Sequence, residues 1–83
     1  MKIQFTRKAE KELRQLDAAT RKRLQKKLAW YLTHEDPLVF TDTLTDFELG
    51  EYRFRIGEYR VVFEVNEDLM SVTAIGHRRD IYR

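Results

Sequence analysis

The chain has 83 residues, of which 42% are hydrophobic and 12% aromatic, so it is long enough for one packed core and too short for two, and we expect a single domain over residues 1–83. It has no cysteine, which excludes a disulfide framework and a thiolate metal site and suits a reducing compartment. Its apolar stretches are only a few residues long, and residues 1–5 lack the apolar core of a signal peptide, so we expect a cytoplasmic protein that neither spans a membrane nor is exported.

The net charge of +2 conceals an uneven distribution along the chain. Residues 1–27 contain ten basic and three acidic residues, a net charge of +7, whereas residues 28–52 contain six acidic residues and no Lys or Arg. A basic region of this kind suits phosphate contacts with a polyanion, and Lys22 and Lys26 are our candidates for such contacts. A solvated helix surface explains the same charges without any ligand.

The first part of the chain predicts a short strand followed by a helical hairpin. Residues 2–5 alternate polar and apolar side chains, which is typical of a strand, and Thr6 is placed to cap the helix that follows. Asp17 can cap a second helix, which we expect to end at Asp36-Pro37 because proline disfavours helical geometry in the residue before it. We assign Trp30 to packing, and we interpret residues 38–50 as an irregular acidic connection.

From residue 51 the period of the apolar residues changes to two, which predicts three strands at roughly residues 51–56, 59–66 and 69–78. Gly57-Glu58 suits a type II′ hairpin turn, and residues 66–68 form the next turn. The expected fold is therefore α+β, with an N-terminal strand, a helical hairpin and a three-stranded antiparallel meander. The helices cover one face of the sheet and leave the other face open.

Three arginines belong to this open face. With Gly57-Glu58 as the turn, Arg55 pairs with Arg60, and Arg53 lies two residues from Arg55 on the same side of its strand. Two like charges directly opposite each other are destabilising, by up to about 1 kcal/mol. A bound phosphate would remove this conflict, because the planar guanidinium group donates two parallel hydrogen bonds to it. The structural alternative is ion pairing with nearby carboxylates, for which the candidates are Glu51, Glu58 and Glu64.

The residues at the end of the last strand can fold over the same open face, and they add groups suited to chemistry on RNA. His77 can give or accept a proton near neutral pH, and Arg78 and Arg79 supply further positive charge. Tyr82 can stack on a base or donate its hydroxyl to a phosphate. The structural alternatives are a histidine without a chemical role and a tyrosine that closes the edge of the core.

Two segments, YRFRIGEYRVVFEV (residues 52–65) and AIGHRRDIY (residues 74–82), resemble the RelE/ParE toxin superfamily of type II toxin–antitoxin systems. The resemblance, closest to the RelE branch, implies the α+β fold described above and a RelB-like antitoxin as partner. It also implies cleavage of messenger RNA in the ribosomal A site, with contacts to ribosomal RNA, by attack of the ribose 2′-hydroxyl on the adjacent phosphate. No metal or other cofactor is implied. The positions that match the RNA site of the family are Arg53, Arg55, Arg60, Arg78 and Tyr82.

This chain departs from the better-studied RelE branch, which carries lysines where Arg53 and Arg55 stand. A guanidinium group does not lose its proton in proteins, so the lysine base proposed for that branch has no counterpart here. By analogy with relatives that have a catalytic histidine near the C-terminus, we expect His77 to act as the base, with Tyr82 as the second candidate. Arg60 and Arg78 are then expected to stabilise the developing charge on the phosphate.

Two other functions fit the same sequence. A ParE-like toxin shares the fold but inhibits DNA gyrase by binding it and cleaves nothing. A nucleic-acid-binding module would use the basic helical hairpin and would show strong salt dependence without cleavage.

Overall fold

The computed structural model describes residues 1–44 and 50–81. Its order of elements confirms the expected strand, helical hairpin and antiparallel strands. In chain order the elements are β1 (Lys2–Phe5), α1 (Arg7–Gln15), α2 (Ala18–Leu32), a 3-10 helix (Pro37–Phe40), β2 (Asp42–Thr43), β3 (Tyr52–Ile56), β4 (Tyr59–Asn66) and β5 (Leu69–His77). In this described part of the chain, no helix is both long enough and apolar enough to cross a lipid bilayer.

The strands form one five-stranded sheet in the order β1-β5-β4-β3-β2. β3, β4 and β5 form the predicted antiparallel meander, with Gly57 at a φ of 60°, as the first central position of a type II′ turn requires. The sequence did not predict that β1 pairs in parallel with β5, with Lys2 opposite Leu69, nor that β2 adds a two-residue strand beside β3. β5 is therefore an interior strand of the sheet.

Both helix caps are confirmed. The Thr6 hydroxyl accepts a hydrogen bond from the Ala9 N–H at 3.2 Å, and the Asp17 carboxylate accepts from the Thr20 N–H at 3.1 Å. The Thr20 hydroxyl also donates to Asp17, at 2.6 Å. This hydroxyl bond, followed by the backbone bond, lowers the pKa of Asp17 below its ordinary value.

The expected end of the second helix at Asp36-Pro37 is wrong, because α2 ends at Leu32. The hydroxyl of Thr33 donates to the carbonyl oxygen of Trp30 at 2.6 Å, and this bond competes with continuation of the helix. Asp36 caps the 3-10 helix instead, accepting a hydrogen bond from the Leu38 N–H at 3.2 Å. Part of the segment interpreted as irregular is therefore ordered, as the 3-10 helix and β2.

One face of the sheet, which we call the helix face, packs against α1 and α2 and carries the main core. Tyr31 of α2 stacks on Phe54 with ring centroids 4.2 Å apart, and Phe54 in turn lies 4.9 Å from Phe63. Burial raises the pKa of the Tyr31 hydroxyl. The fully or nearly fully buried members of this core are Ala9, Leu13, Leu24, Leu28, Tyr31, Phe54, Ile56, Val61, Phe63, Met70, Val72 and Ile75.

The opposite face, which we call the arginine face, is only partly open. Val62 and Ala74 form a second, smaller cluster on it, covered by Leu44 and Ile81. Gly50 lies directly over this cluster, since a Cβ at that position would be 2.5 Å from Cγ1 of Val62. The expectation that this face is fully open is therefore corrected: two segments of the chain cover its centre, and its arginines lie beside them.

A β-bulge in β5 decides which face each of its last residues occupies. Val62 pairs with Ala74 and Phe63 pairs with Val72, so Thr73 is the extra residue of the bulge. The extra residue reverses the alternation, so that Ile75 lies on the helix face although it is three residues from Val72. The same reversal acts on every residue that follows in the strand.

Candidate functional site

The register of β3 and β4 places arginines side by side on the arginine face. Arg55 lies directly opposite Arg60, and Arg53 lies opposite the buried Val62. The Cα pairing is the one the sequence predicts from the two-residue turn, because a tight turn of known type fixes the register of the two strands it joins. Like charges in direct opposition destabilise a strand pair, so this arrangement does not serve stability.

A carboxylate of the same chain occupies the space between two of these arginines. Oδ2 of Asp42 lies 2.8 Å from Nε of Arg55 and 3.4 Å from Nε of Arg53. The anion expected from the sequence is therefore supplied internally, by β2, and not by the three glutamates considered there. β2 was not predicted because two residues carry no detectable period.

Two of those three glutamates, Glu51 and Glu58, bind to groups other than the arginines of β3 and β4. Glu51 accepts a hydrogen bond from the Val65 N–H at 3.3 Å, and Oε2 of Glu58 pairs with Nε of Arg78 at 2.7 Å. The Arg78 N–H also donates to the carbonyl oxygen of Glu58 at 2.8 Å. Arg78 is thus fixed at the turn between β3 and β4.

Arg60 is held at the same turn. Its Nη1 donates to the carbonyl oxygens of Gly57 at 3.0 Å and of Tyr59 at 2.9 Å. Two arginines therefore lie at this turn, since Arg60 and Arg78 both donate to its backbone carbonyl oxygens. Both were expected from the sequence to stabilise charge on the phosphate.

His77 does not join these arginines. The bulge at Thr73 brings it opposite Tyr59, on the helix face, where the two rings meet edge to face with centroids 5.5 Å apart. With Glu12 of α1 and Leu16, the residue after that helix, these two residues line a cleft of about 290 Å³. The expectation that His77 shares the face of the arginines is therefore wrong, because the one-residue bulge reverses its direction.

A hydrogen bond also occupies one ring nitrogen of His77. The Arg79 N–H donates to Nδ1 of the imidazole at 3.1 Å, so that nitrogen carries no proton. The neutral ring then carries its proton on Nε2 and offers a donor there, not a lone pair. A general base needs a free lone pair, which this geometry does not provide.

A groove beside Arg55 of the arginine face was not predicted from the sequence. It has a volume of about 470 Å³ and lies between α2 and the turn after β3. Lys26 and Arg55, both named from the sequence, meet there, whereas Lys22 and Arg79 are exposed at other positions. The remaining lining residues are Arg23, Lys27, Trp30, Ile56 and Gly57. Arg23, Lys26, Lys27 and Trp30 stand at i, i+3, i+4 and i+7 along α2. This spacing places them on one side of the helix, and it was the feature of the sequence that could have predicted the groove.

Tyr82 lies outside the described residues, so its place relative to the arginines stays a prediction. Within the described ranges, no three histidine or acidic side chains come together as a metal site would require.

Comparison with known proteins identifies the family. The model of the ParE toxin of type II toxin–antitoxin systems, parDE, matches residues 3–82. The chain belongs to this toxin family. The resemblance to the RelE/ParE superfamily stated from the two sequence segments is thus confirmed. No curated protein matches the toxin significantly.

Solved structures similar to the toxin come from complexes with antitoxins. The RelB–RelE complex from Methanococcus jannaschii matches at 25% identity over 94% of this chain and 93% of that chain, with a TM-score of 0.71. The intact RelBE complex from E. coli matches at 25% identity over 92% and 94%, with a TM-score of 0.71. RelBE2 from Mycobacterium tuberculosis, at 20% identity over 93% and 96% with a TM-score of 0.74, shows the same fold.

The chemistry available to the toxin on its arginine face is charge stabilisation. Guanidinium groups bind phosphate oxygens bidentately and remain charged, so they suit a phosphate that gains negative charge during a reaction. Arg55 is 59% exposed, so its guanidinium group can reach an external anion once Asp42 releases it.

Proposed function

We propose that the toxin cleaves messenger RNA held in the ribosomal A site, with a phosphate of the RNA bound at the arginine face. One observation carries this proposal: Arg55 and Arg60 stand directly opposite each other, and Arg55 and Arg53 share an internal carboxylate that stands in for the phosphate. An arrangement that costs stability and binds an anion is best explained by an anionic substrate.

In the proposed reaction the ribose 2′-oxygen forms a bond to the adjacent phosphorus, and the bond from phosphorus to the 5′-oxygen breaks. The products are a 2′,3′-cyclic phosphate and a 5′-hydroxyl, with a proton moving from the 2′-hydroxyl to a base and another reaching the leaving oxygen. Arg53 and Arg55 would bind the phosphate in place of Asp42. Arg60 and Arg78, at the adjoining turn, would stabilise the additional negative charge of the phosphorane.

Proton transfer in this reaction requires a group other than His77, because His77 lies on the helix face and its Nδ1 accepts from the Arg79 N–H. Tyr82 remains our candidate for proton transfer and for stacking on a base. Most of the rate enhancement is then attributed to positioning of the substrate on the ribosome and to electrostatic stabilisation by the arginines.

The partners follow from the same proposal. The similar RelE structures at 25% identity were solved with RelB antitoxins, which supports a RelB-like antitoxin for this toxin. Messenger RNA and ribosomal RNA are the proposed nucleic-acid partners, with Lys22, Lys26 and Arg79 as additional phosphate contacts.

The test uses purified toxin with ribosomes stalled on a defined message, and it maps new 5′-hydroxyl ends. We expect cleavage within the A-site codon, and a loss of about 100-fold or more in Arg55→Gln, as when one charge-stabilising donor is removed from an active site. Arg14→Gln is the matched control, since Arg14 is an exposed arginine of α1 that pairs with Glu10. Absence of cleavage by the folded wild-type toxin would overturn the proposal.

Gyrase inhibition is the second candidate function, and the match to the ParE family model favours it. The position of His77 away from the arginines is also compatible with a toxin that binds gyrase and cleaves nothing. The corresponding measurement is DNA supercoiling by purified gyrase with and without the toxin. Inhibition there, together with intact messages on stalled ribosomes, would replace the first proposal by the second.

A further inference from the structure

The four residues after β5, which we call the β5 turn (residues 78–81), have a partner for each of their backbone N–H groups. The first N–H donates to the carbonyl oxygen of Glu58 at 2.8 Å. The second, that of Arg79, donates to Nδ1 of His77 at 3.1 Å. The third and fourth both donate to the carbonyl oxygen of His77, at 2.9 and 3.1 Å. Three of these four hydrogen bonds therefore end on His77, and one of the three uses its ring.

The β5 turn connects His77 to the arginine face. Arg78, its first residue, forms an ion pair with Oε2 of Glu58 at 2.7 Å. Ile81, its last residue, packs against the smaller apolar cluster on the arginine face. The chain thus passes from the helix face at His77, around the edge of β5, to the arginine face at Ile81. The shape of the turn therefore decides where the guanidinium group of Arg78 lies.

The fold holds His77 in place from two sides. Its ring lies edge to face against Tyr59, with centroids 5.5 Å apart. Two residues earlier, the Ile75 N–H donates to Oε1 of Glu12 at 3.1 Å. β1 ends opposite Val72 and does not reach Ile75, so the Glu12 carboxylate accepts the hydrogen bond that a paired strand accepts elsewhere. The end of β5 is thus fixed before the β5 turn begins.

We propose that His77 is a positioning residue, whose imidazole accepts the Arg79 N–H, closes the β5 turn and so holds Arg78 at the arginine face. This inference rests on the proposed RNA cleavage, in which Arg78 stabilises charge on the phosphate. Side-chain acceptors that bind the N–H two residues further along favour tight turns, as Asn and Asp do. Donors that stabilise a transition state act best when the fold already holds them in place. Without the ring acceptor, the β5 turn loses the side-chain bond that closes it.

His77→Asn and His77→Leu separate a positioning residue from a general base. The amide oxygen of asparagine can accept the Arg79 N–H, but it does not take up a proton from a hydroxyl group, whereas leucine offers no acceptor. On ribosomes stalled on a defined message, we expect His77→Asn to retain cleavage within about threefold of the wild type. His77→Leu should lower kcat about 30-fold with little change in KM, because the substrate still binds but a charge-stabilising donor is misplaced. His34→Leu is the matched control, since His34 lies beyond the end of α2, and it should cleave as the wild type does. Equal losses in His77→Asn and His77→Leu, or no loss in either, would overturn the inference.

A double-substitution cycle tests whether His77 acts through Arg78. If it does, adding His77→Leu to Arg78→Gln should lower kcat by less than about twofold further, because residues that act as a unit have non-additive effects. A further loss as large as that of His77→Leu alone would mean that His77 acts by another route, and the inference would fall.

Amide hydrogen exchange, measured by NMR, follows the β5 turn without any need for cleavage. The amides of Arg79 and Ile81 should exchange about tenfold faster in His77→Leu than in the wild type, and nearly normally in His77→Asn. The Phe63 amide, in buried β4, should be unchanged in both variants and shows that they are folded. Unchanged exchange of the Arg79 and Ile81 amides in His77→Leu would refute the role of His77 in the turn. Absence of cleavage by the wild-type toxin, in contrast, refutes the proposed function and leaves the exchange result as it stands.

Discussion

The two faces of the sheet follow different rules. On the helix face, side chains such as Phe54, Phe63 and Val72 are fully buried against the helices, and each choice of residue favours the folded state. On the arginine face, two arginines oppose each other and a carboxylate from the edge strand β2 neutralises part of their charge. The buried residues of the helix face therefore stabilise the fold, whereas the opposed arginines contribute little to stability and are better explained by a function.

Breaking the helix face should have the largest effect. Phe54→Ala removes a ring that stacks on both Tyr31 and Phe63, and we expect it to lower the free energy of unfolding by about 3–5 kcal/mol, measured by urea denaturation. For a domain of this size such a loss approaches the whole stability. Val39→Ala is the control, because Val39 is exposed and its truncation should stay within about 0.5 kcal/mol. Equal effects of the two variants would contradict the assignment of the core.

Removing the Asp42 carboxylate tests whether the arginine face binds an external anion. Asp42→Asn takes away the carboxylate that binds Arg55 at 2.8 Å, so a phosphate no longer has to displace it. We expect a short single-stranded RNA to bind about three- to tenfold more tightly, measured by fluorescence anisotropy at fixed salt. Glu64→Gln changes the net charge equally at an exposed position of β4 and should have a much smaller effect. If both variants gain affinity equally, Asp42 acts only through net charge.

A third variant separates stability from function. Arg55→Gln removes an exposed ion pair with Asp42, worth at most about 1 kcal/mol, and at the same time relieves the repulsion from Arg60, which is of similar size. The free energy of unfolding should therefore change by less than about 1 kcal/mol, although the proposed cleavage falls about 100-fold. A large loss of stability in urea denaturation would mean that Arg55 supports the fold itself.

The smallest effect lies outside both faces, at the cap of α2. Hydrogen bonds from Thr20 lower the pKa of Asp17 in the folded state, so the ionised cap stabilises the protein above the ordinary pKa of aspartate and loses this contribution as the pH falls through the lowered value. Asp17→Asn should lower the melting temperature by a few degrees at pH 7, and the difference should shrink as the pH falls through the lowered pKa. Glu67→Gln, in the exposed turn before β5, removes a carboxylate outside the cap and is the matched control.

Much of the architecture is predictable from local chemistry. Thr6 and Asp17 are cap residues by type and position, and the Gly57-Glu58 turn fixes the pairing of Arg55 with Arg60. The direction of His77 is not predictable in this way. The bulge at Thr73 exchanges the faces that Ala74 and Ile75 occupy, and because both residues are apolar an unbroken alternation fits that stretch nearly as well.

The same limit explains the other differences. β2 has only two residues, and its partner becomes known only when the sheet is assembled. The pairing of β1 with β5 depends on contacts across almost the whole chain, and no local pattern encodes it. Trp30 was assigned to packing because tryptophan is usually largely buried, whereas its neighbours at i−3 and i−4, Lys27 and Lys26, indicated the groove.

The pairing of β1 with β5 also affects when the protein can fold during its synthesis. Lys2 pairs with Leu69, so β1 finds its neighbour only after 67 further residues have been translated, which takes roughly 3 to 13 seconds at ordinary rates of synthesis. Contacts so distant in sequence form late in folding. Because β5 also holds β4, the arginine face is incomplete on the nascent chain until β5 has emerged. The ribosome that makes this protein therefore releases most of its length before the arginine face is complete.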